Sequence, residues 1–272
     1  MIYGRSLAKS ADIKNIKRVY GRRLGRPLNK SRSDVIETLL PKLSIPKESL
    51  TETGDLNPKI LFPTPKTQTW FEIGFGAGEH LSALMRRHPG NAYLGAEPYI
   101  NGMSAFLKDI SPPTLTLPPT GGGMRRVGEA HAEHTSKLGG GDIPLKNIRL
   151  IMDDAMILAN SLSDNSLDGI YILNPDPWHK KRHHKRRIVS KETLDTFARI
   201  LKPGGQLIMS TDVPYLAEWM LTRAITHPAF TWTAQSRKDW EIPPPDWITT
   251  AYEKKGAKGA EKMRYLFFEK KT

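Results

Sequence analysis

Short apolar runs alternate with helical patterns along most of the chain. The first run, at residues 70–73, leads into a glycine cluster and then into apolar positions at helical spacing, Leu81, Leu84 and Met85. Strands that alternate with helices build an open α/β sheet, which binds its ligands at the carboxyl ends of the strands. The pattern predicts seven strands in all. The other six are centred on residues 94–96, 148–151, 167–173, 207–209, 230–232 and 265–268.

Two stretches before the first strand do not follow this alternation. Residues 1–32 contain ten basic residues and a single acid, Asp12, which predicts a basic arm. The pattern does not decide between a solvated arm without structure and an arm that becomes ordered on RNA. Residues 33–65 predict a weakly helical lead-in that contains prolines, with Ser33 or Asp34 as the helix cap.

A third irregular stretch covers residues 110–146. It contains seven glycines and five prolines in 37 positions, a proportion typical of disordered segments. It joins a predicted helix to the next strand, at the sheet edge opposite the ligand crevice, so we expect a flexible insertion without a catalytic part. His131 and His134 within it have no further ligand pattern, which favours solvated side chains. The predicted organisation is an arm with a helical lead-in at 1–65 and one domain at 66–272.

The glycine cluster follows the first predicted strand directly. Gly74, Gly76 and Gly78 precede a helical pattern, and such a loop lets the backbone approach a ligand and directs helix amides towards it. Tight strand-to-helix turns also use glycine, so the loop alone is a weak signal. Glu72, near the end of the strand, would repel a pyrophosphate but attract a cationic amino group.

Acidic residues follow the next predicted strands. Glu97 lies about 20 residues beyond the glycines, where an acid binds ribose hydroxyls in Rossmann-type sites, although it could instead cap the following helix. Asp154 and Asp176 come after the third and fourth strands. Because the carboxyl ends of parallel strands share one edge of a sheet, we expect these acids and Glu72 in one crevice.

The fourth strand runs into the most unusual stretch of the chain, residues 174–187. Asp176 lies between Pro175 and Pro177, and Trp178 and a run of basic residues follow. Prolines have no N–H group, so the stretch cannot continue a strand or a helix, and its carbonyl groups are free to accept hydrogen bonds from a ligand. A surface turn with a solvated basic loop is the plainer alternative. The predicted ligand crevice, formed by residues earlier in the chain, favours a catalytic site that acts on nucleic acid.

Several side chains of this stretch allow more than one role. Trp178 could stack on a base or belong to the core. His179 and His183 are one helical turn apart, but without cysteine or a nearby acid we expect no metal site. The cations between Lys180 and Arg187 are expected to contact phosphates, which fix register without reading sequence.

Composition supports a polyanionic partner. The chain has 41 Lys and Arg residues against 28 Asp and Glu residues, a net charge of +13, and phosphate neutralisation drives most non-specific nucleic-acid binding. An acidic membrane surface would also suit this charge, but no apolar run reaches the roughly 18 residues of a span, and no signal-peptide pattern is present. The absence of cysteine excludes disulfides and thiolate catalysis. We expect a cytoplasmic protein without membrane or metal partners.

These motifs together resemble a known family. The glycine loop, the spaced acids and the turn at 201–205 resemble the class I S-adenosylmethionine-dependent methyltransferases. More narrowly, the chain resembles the tRNA (guanine-N7-)-methyltransferase family over residues 66–272 apart from the insertion, and residues 20–26 resemble its basic arm. The motif residues that carry this likeness are Pro175, Asp176, Pro177, Trp178, His179, Lys180, Arg186, Arg187 and 250–253. Asn174, where the family commonly has an aromatic residue, and the insertion are departures.

The resemblance implies a Rossmann-like class I methyltransferase fold, with a mostly parallel seven-stranded sheet and helices on both faces. It implies S-adenosylmethionine as the cofactor and methyl transfer to N7 of guanosine in tRNA, at variable-loop position 46, by a monomer or a homodimer. Glu72 would face the methionine end of the cofactor, Glu97 its ribose and Asp154 its adenine side. Asp176 would be the catalytic carboxylate.

The resemblance also implies which residues form the sites, and these are carried over position by position. The cofactor-binding residues are Glu72, Gly74, Gly76, Gly78, Glu97, Asp154 and Asp176. The substrate-binding residues are Lys180, Asp212, Thr250, Ala251, Tyr252 and Glu253. The predicted contacts to the tRNA backbone are Lys181, Arg182, Lys185, Arg186, Arg187, Arg22 and Arg23.

The chemistry of guanine limits what Asp176 must do. Guanine N7 has an unprotonated lone pair at neutral pH, so methyl transfer needs no general base. We expect Asp176 to accept hydrogen bonds from the guanine N1–H and amino groups, and to stabilise the cationic product.

Two other functions fit parts of the sequence. An amine methyltransferase would use an Asn-Pro-Pro-aromatic loop, which 174–178 resembles loosely, but Asp176 replaces a proline that this chemistry needs. A non-catalytic RNA-binding protein on the same fold would require loss of the cofactor residues, and these all remain.

Overall fold

The computed structural model describes residues 23–112, 145–255 and 262–272. The strands of the described residues are β1 (Thr69–Ile73), β2 (Ala92–Ala96), β3 (Ile148–Ile151), β4 (Leu167–Leu173), β5 (Leu201–Thr211), β6 (Phe230–Trp232) and β7 (Arg264–Lys270). They form one seven-stranded sheet in the order β3-β2-β1-β4-β5-β7-β6. Only β7 runs antiparallel to its neighbours in this sheet. The prediction of a mostly parallel α/β sheet is confirmed.

Helices connect these strands, as the alternating pattern predicts. The α-helices of the described residues are α1 (Lys30–Thr38), α2 (Leu40–Leu43), α3 (Glu79–Arg87), α4 (Ile100–Ile110), α5 (Ala155–Ser161), α6 (Lys191–Ile200), α7 (Pro214–Ile225), α8 (Lys238–Glu241) and α9 (Ala251–Lys255). Residues Lys181–Arg186 form a 3-10 helix, which we call the basic 3-10 helix. Ser190 caps α6 together with Thr193, as predicted.

Buried side chains cover both faces of the sheet. Neighbouring residues of β2 belong to different clusters, because Leu94 packs with Phe71 and Ile172 whereas Tyr93 packs with Phe106. Successive side chains of a strand point to opposite faces, so the two clusters lie on the two faces of the sheet. This double cover is what parallel sheets require, and it leaves the strand ends as the place for polar groups.

The lead-in helices belong to the same core as the sheet. Leu39 and Leu43 are buried in the cluster of Tyr93, and α1 packs against α4. Phe62, further along the lead-in, is buried in the other cluster. The division of the chain at residue 66 stays a prediction.

Two local predictions need correction. The cap of α1 is Asn29, whose side chain accepts a hydrogen bond from the amide of Arg32, and Ser33 and Asp34 lie inside the helix. Asn is a preferred cap, and the helix that begins after it includes Lys30 and Arg32 from the end of the predicted basic arm. The predicted turn at 201–205 is part of β5, where it forms an irregularity opposite β4.

Some predictions fall outside the described residues. They concern Arg22, most of the basic arm, His131, His134 and most of the insertion at 110–146.

Candidate active site

The glycine loop between β1 and α3 has a backbone that glycine alone adopts readily. Gly74, Gly76 and Gly78 have φ angles of 70°, 57° and 74°, all in the left-handed region. A Cβ atom at Gly78 would lie 2.1 Å from the ring of Phe106, whereas one at Gly74 or Gly76 would meet nothing within 4 Å. The first two glycines therefore border open space, and the third provides close packing.

Glu97 connects this loop to the following helix. Its side chain is 6% exposed, and its two carboxylate oxygens accept hydrogen bonds from the amides of Gly76, at 2.7 Å, and Tyr99, at 2.8 Å. Tyr99 is the N-cap residue of α4, so Glu97 binds the amide just before the helix, and the helix itself has no side-chain cap. Each carboxylate oxygen can accept a second hydrogen bond, and the ribose contact stays a prediction.

The end of β3 carries two acids with different partners. Asp154 caps α5, and its Oδ1 accepts a hydrogen bond from the amide of Met156 at 3.0 Å. Asp153 forms an ion pair with Arg23 at 2.8 Å. Arg23, a predicted tRNA contact, thus lies at this edge of the sheet, beside the residue expected on the adenine side of the cofactor.

Asp176 lies in the loop after β4, near Glu97. Asn174 and Trp178 on either side of it have φ angles of 48° and 42°, so the loop turns sharply at both ends. The Asp176 side chain is exposed at the mouth of the crevice, yet partial desolvation raises its pKa. Burial also raises the pKa of Glu97, and the charge of Asp176 adds to that rise. The two carboxylates thus lie within electrostatic range of each other, and their place in one cofactor crevice stays a prediction.

Glu72 has its partner inside the protein. The side chain is 3% exposed, and its Oε2 lies 2.8 Å from Nδ1 of His80, which is also buried. The His80 ring lies 4.6 Å from the ring of Tyr171 in an edge-on arrangement. A contact of Glu72 with the methionine end of a cofactor stays a prediction.

The basic run divides into exposed and enclosed side chains. Lys180, Lys181, Arg182 and Lys185 are exposed to solvent at the basic 3-10 helix. Arg187 departs from the expectation of a phosphate contact, because it is 5% exposed and its guanidinium lies against the loop of Asp176.

The histidines of this stretch pair with neighbouring side chains. The ring of His179 is hydrogen-bonded to the hydroxyl of Tyr215, and Nε2 of His183 accepts a hydrogen bond from Arg182 at 3.3 Å. No cluster of three potential metal ligands occurs in the described parts of the chain.

The predicted substrate residues near the carboxyl terminus come together at the end of β5. The hydroxyl of Tyr252 lies 3.3 Å from Oδ2 of the buried Asp212. Glu253 accepts a hydrogen bond from Nε1 of Trp247 at 3.1 Å, and its amide donates to the hydroxyl of Thr250 at 3.3 Å. The contact between Tyr252 and Asp212 holds α9 at the end of β5.

Some residues of the site were not predicted. Glu79, in the first turn of α3, accepts a hydrogen bond from the amide of Ala251, 172 positions away. The rings of His80 and Trp247 lie 5.9 Å apart. A contact over such a separation leaves no local pattern in the sequence.

The strand order, the glycine loop after β1 and the acids at the ends of β2 and β4 define a class I S-adenosylmethionine-dependent methyltransferase. Residues 66–265 match a family model described as "Putative methyltransferase". The tRNA (guanine-N(7)-)-methyltransferase of Rhodospirillum rubrum is 37% identical over 254 residues, which cover 93% of this chain and 88% of the relative. The enzyme of that name from Brucella melitensis is 35% identical, with 92% of this chain and 93% of the relative covered. The chain belongs to the tRNA (guanine-N7-)-methyltransferase family.

Among solved structures, the aminoglycoside resistance methyltransferase NpmB1 aligns with 76% of this chain and 89% of its own length. The sequence identity is 14% and the TM-score is 0.44. No helix of the described residues is long and apolar enough to cross a membrane.

Proposed function

We propose that this protein transfers a methyl group from S-adenosylmethionine to N7 of guanosine in tRNA, at position 46 of the variable loop. Family membership supports the reaction. The observation that carries the proposal is the place of Asp176, in a proline-flanked loop near Glu97 and the glycine loop. In this proposal, the acid that binds the substrate and the residues that bind the cofactor lie at one end of the sheet.

The crevice fits the cofactor. Open space lies beside Gly74 and Gly76, where any larger side chain would intrude, and Glu97 holds the amide of Gly76 in place. When bound, the cofactor supplies a methyl group on a positively charged sulfur. Glu97 would hold its ribose and Asp154 its adenine side, with Glu72 directed to the methionine end.

Asp176 would bind and orient the guanine. Its carboxylate oxygens can accept hydrogen bonds from the N1–H and amino groups of the base, which fixes the direction of the N7 lone pair. The negative charge also stabilises the positive charge that the purine gains on methylation. No proton has to leave N7, so Asp176 acts without serving as a base.

The exposed cations beside this loop would hold the tRNA. Lys180 leads into the basic 3-10 helix, and Lys181, Arg182 and Lys185 extend from it into solvent. Contacts with phosphates would set the position of the target base relative to Asp176. Asp212 and residues 250–253, at the end of β5, would complete the substrate site.

Labelled methyl transfer to unmodified tRNA tests the proposal. We expect labelled tRNA that undergoes chemical strand scission at one site, because only N7-methylguanosine gives this scission. Scission elsewhere than the variable loop would contradict the position, and labelled tRNA without scission would contradict the N7 reaction. Calorimetry with S-adenosylmethionine alone tests the cofactor site, since a non-catalytic RNA-binding protein would show no binding.

We also propose that the protein acts in the cytoplasm, because tRNA is its substrate. We further propose that it acts as a monomer or a homodimer. Light scattering during size-exclusion chromatography, with and without tRNA, determines which of the two assemblies forms.

A further inference from the structure

Arg187 is an enclosed cation one residue beyond the basic 3-10 helix. It is 5% exposed, while Lys181, Arg182 and Lys185 just before it are exposed. No ion pair joins it to a carboxylate among the described residues. An enclosed charge is unfavourable unless hydrogen bonds or other charges compensate it. The compensation therefore has to come from neutral groups.

Those groups are carbonyls of the Asp176 loop. Nε of Arg187 donates to the carbonyl oxygen of Pro177 at 3.0 Å, and Nη2 lies 3.5 Å from that of Trp178. The loop has two prolines and cannot join a strand ladder, so these carbonyls have no backbone partner of the usual kind. A guanidinium can donate to two successive acceptors from one rigid plane, which an ammonium group cannot do.

Two aromatic rings also contact the guanidinium. Its carbon lies 4.7 Å from the ring centre of Trp219 and 5.4 Å from that of Tyr215, both in α7. Trp219 is itself fixed, because its Nε1 donates to the carbonyl of Val189 at 2.8 Å. Ring faces attract cations, and the effect is larger where water is excluded. Arg187 is thus immobilised between α7 and the loop.

The backbone of Arg187 is tied to the basic 3-10 helix as well. Its amide donates to the carbonyl of His184 at 3.0 Å. The preceding Arg186 stacks over the ring of Trp178 at 5.0 Å, within the same loop. The helix that would bind phosphates and the loop that bears Asp176 therefore form one connected unit.

We propose that Arg187 is a positioning residue for methyl transfer, which fixes the Asp176 loop through the carbonyl groups of Pro177 and Trp178. This inference rests on the proposed function. It assigns Arg187 a part in the orientation of the base rather than in the affinity for tRNA. A misplacement of a reacting group by about 1 Å can reduce a rate about 100-fold, so the loss should appear in kcat.

Two variants of Arg187 test the proposal. Arg187→Met keeps much of the aliphatic stem but removes all donors, and we expect kcat to fall about 100-fold. Arg187→Lys keeps the charge but reaches one carbonyl at a time, and we expect a fall of about 10-fold. The KM for tRNA, its salt dependence and the Kd of S-adenosylmethionine should stay within about threefold of the wild type, because neither binding surface changes.

Arg223→Met is the matched control. Arg223 is exposed and stacks on the same ring of Trp219, at 4.5 Å, but it contacts no carbonyl of the loop. We expect its kcat to equal that of the wild type, which separates the contact with Trp219 from the contacts with the loop. Thermal unfolding of all three variants shows whether each is folded.

Three outcomes would overturn the proposal. The first is a wild-type kcat in both folded Arg187 variants. The second is an unchanged kcat with a raised KM and a flatter salt dependence, which would make Arg187 a phosphate contact. The third is loss of folding in Arg187→Lys as well as Arg187→Met, which would assign Arg187 to fold stability. If the wild type labels tRNA without N7-specific scission, the proposed reaction fails instead, and kcat for the label still decides the role of Arg187.

Discussion

Two carboxylates with different surroundings, Glu97 and Asp176, lie close enough that the charge of Asp176 raises the pKa of Glu97. Glu97 is buried and accepts two backbone amides, so its position is fixed by the chain itself. Asp176 is exposed at the mouth of the crevice, and partial desolvation raises its pKa. A carboxylate that is partly stripped of water and open to a ligand suits the binding of the N–H groups of a base.

Replacement of Asp176 tests this role. We expect Asp176→Asn to lower kcat about 100-fold, because the amide keeps the shape but loses the charge that opposes the cationic purine. Burial disfavours the charged form of Asp176, so the variant should be at least as stable as the wild type at neutral pH. Initial rates with saturating tRNA, together with urea unfolding, measure both effects. Near wild-type turnover would contradict the role of Asp176.

The pH dependence of the wild type follows from the same pKa. A raised pKa means that Asp176 takes up its proton at a higher pH than an ordinary aspartate does. On acidification we therefore expect kcat to fall at a pH above the ordinary range of an aspartate, as the carboxylate is lost. Rates measured across acidic pH check this, and Asp176→Asn should lack that limb. If kcat of the variant fell in the same way on acidification, the fall would belong to another titrating group.

At the scale of elements, the loops at the carboxyl edge of the sheet differ in backbone conformation and in packing. The glycine loop requires left-handed backbone at three positions, and only Gly78 is also packed against a ring. The basic 3-10 helix has its exposed cations on one short element, with Arg187 anchoring its end to the Asp176 loop. Substitutions in these loops should therefore separate stability from binding.

A pair of glycine substitutions tests the first loop. Gly74→Ala should lower the free energy of unfolding by roughly 1–2 kcal/mol, the cost of left-handed backbone with a Cβ. Gly78→Ala should lower it by about 1–3 kcal/mol more, because the added Cβ would lie 2.1 Å from the ring of Phe106. Urea unfolding measures both, and calorimetry should show weaker cofactor binding by Gly74→Ala. If the two variants lost the same stability, the ring of Phe106 would have to move aside for the added Cβ.

Salt titration tests the basic 3-10 helix. The double variant Lys181→Ala with Arg182→Ala should reduce the slope of log K for tRNA against log salt by about 1 to 2, since each lost phosphate contact removes about 0.7 to 0.9. The matched control is Lys47→Ala with Lys59→Ala, two exposed cations of the lead-in, which changes the net charge equally. If the slope did not change in the first variant, or changed equally in the control, the basic 3-10 helix would make no phosphate contact and would be a solvated segment.

At the scale of the molecule, the lead-in packs into the same buried clusters as the sheet. Leu39 and Leu43 share a buried cluster with residues of the sheet. Arg23, where the described chain begins, pairs with Asp153 at the end of β3, and its carbonyl accepts the amide of Ile100. Arg23 therefore lies beside the residue proposed for the adenine side of the cofactor.

Removal of residues 1–22 tests the arm. These residues include six basic side chains and one acid, so we expect the Kd for tRNA to rise about tenfold at physiological salt, with a smaller salt slope. The midpoint of thermal unfolding and the Kd of S-adenosylmethionine should not change, because Arg23 and its partners remain. Equal tRNA affinity in both proteins would favour the alternative of a solvated arm.

The sequence by itself determined the sheet, the glycine loop and the positions of Glu97, Asp154 and Asp176 just after β2, β3 and β4. Each of these depends on local rules: the period of apolar residues predicts strands and helices, and parallel strands bring their carboxyl ends to one edge. Asp176 and Glu97 could be placed at the same edge of the sheet for this reason. The cap of α1 was missed because several polar residues near Asn29 are equally good caps on local grounds.

Only the tertiary structure decided which charged groups face solvent. Arg187 belongs by sequence to an exposed basic run, and its enclosure depends on the rings of Trp219 and Tyr215, some 30 positions away. The pair of Glu72 and His80 is likewise a buried contact between β1 and α3 that no local pattern of the sequence predicts. Charge and periodicity are properties of the chain, whereas the partner of a long polar side chain is a property of the packed fold.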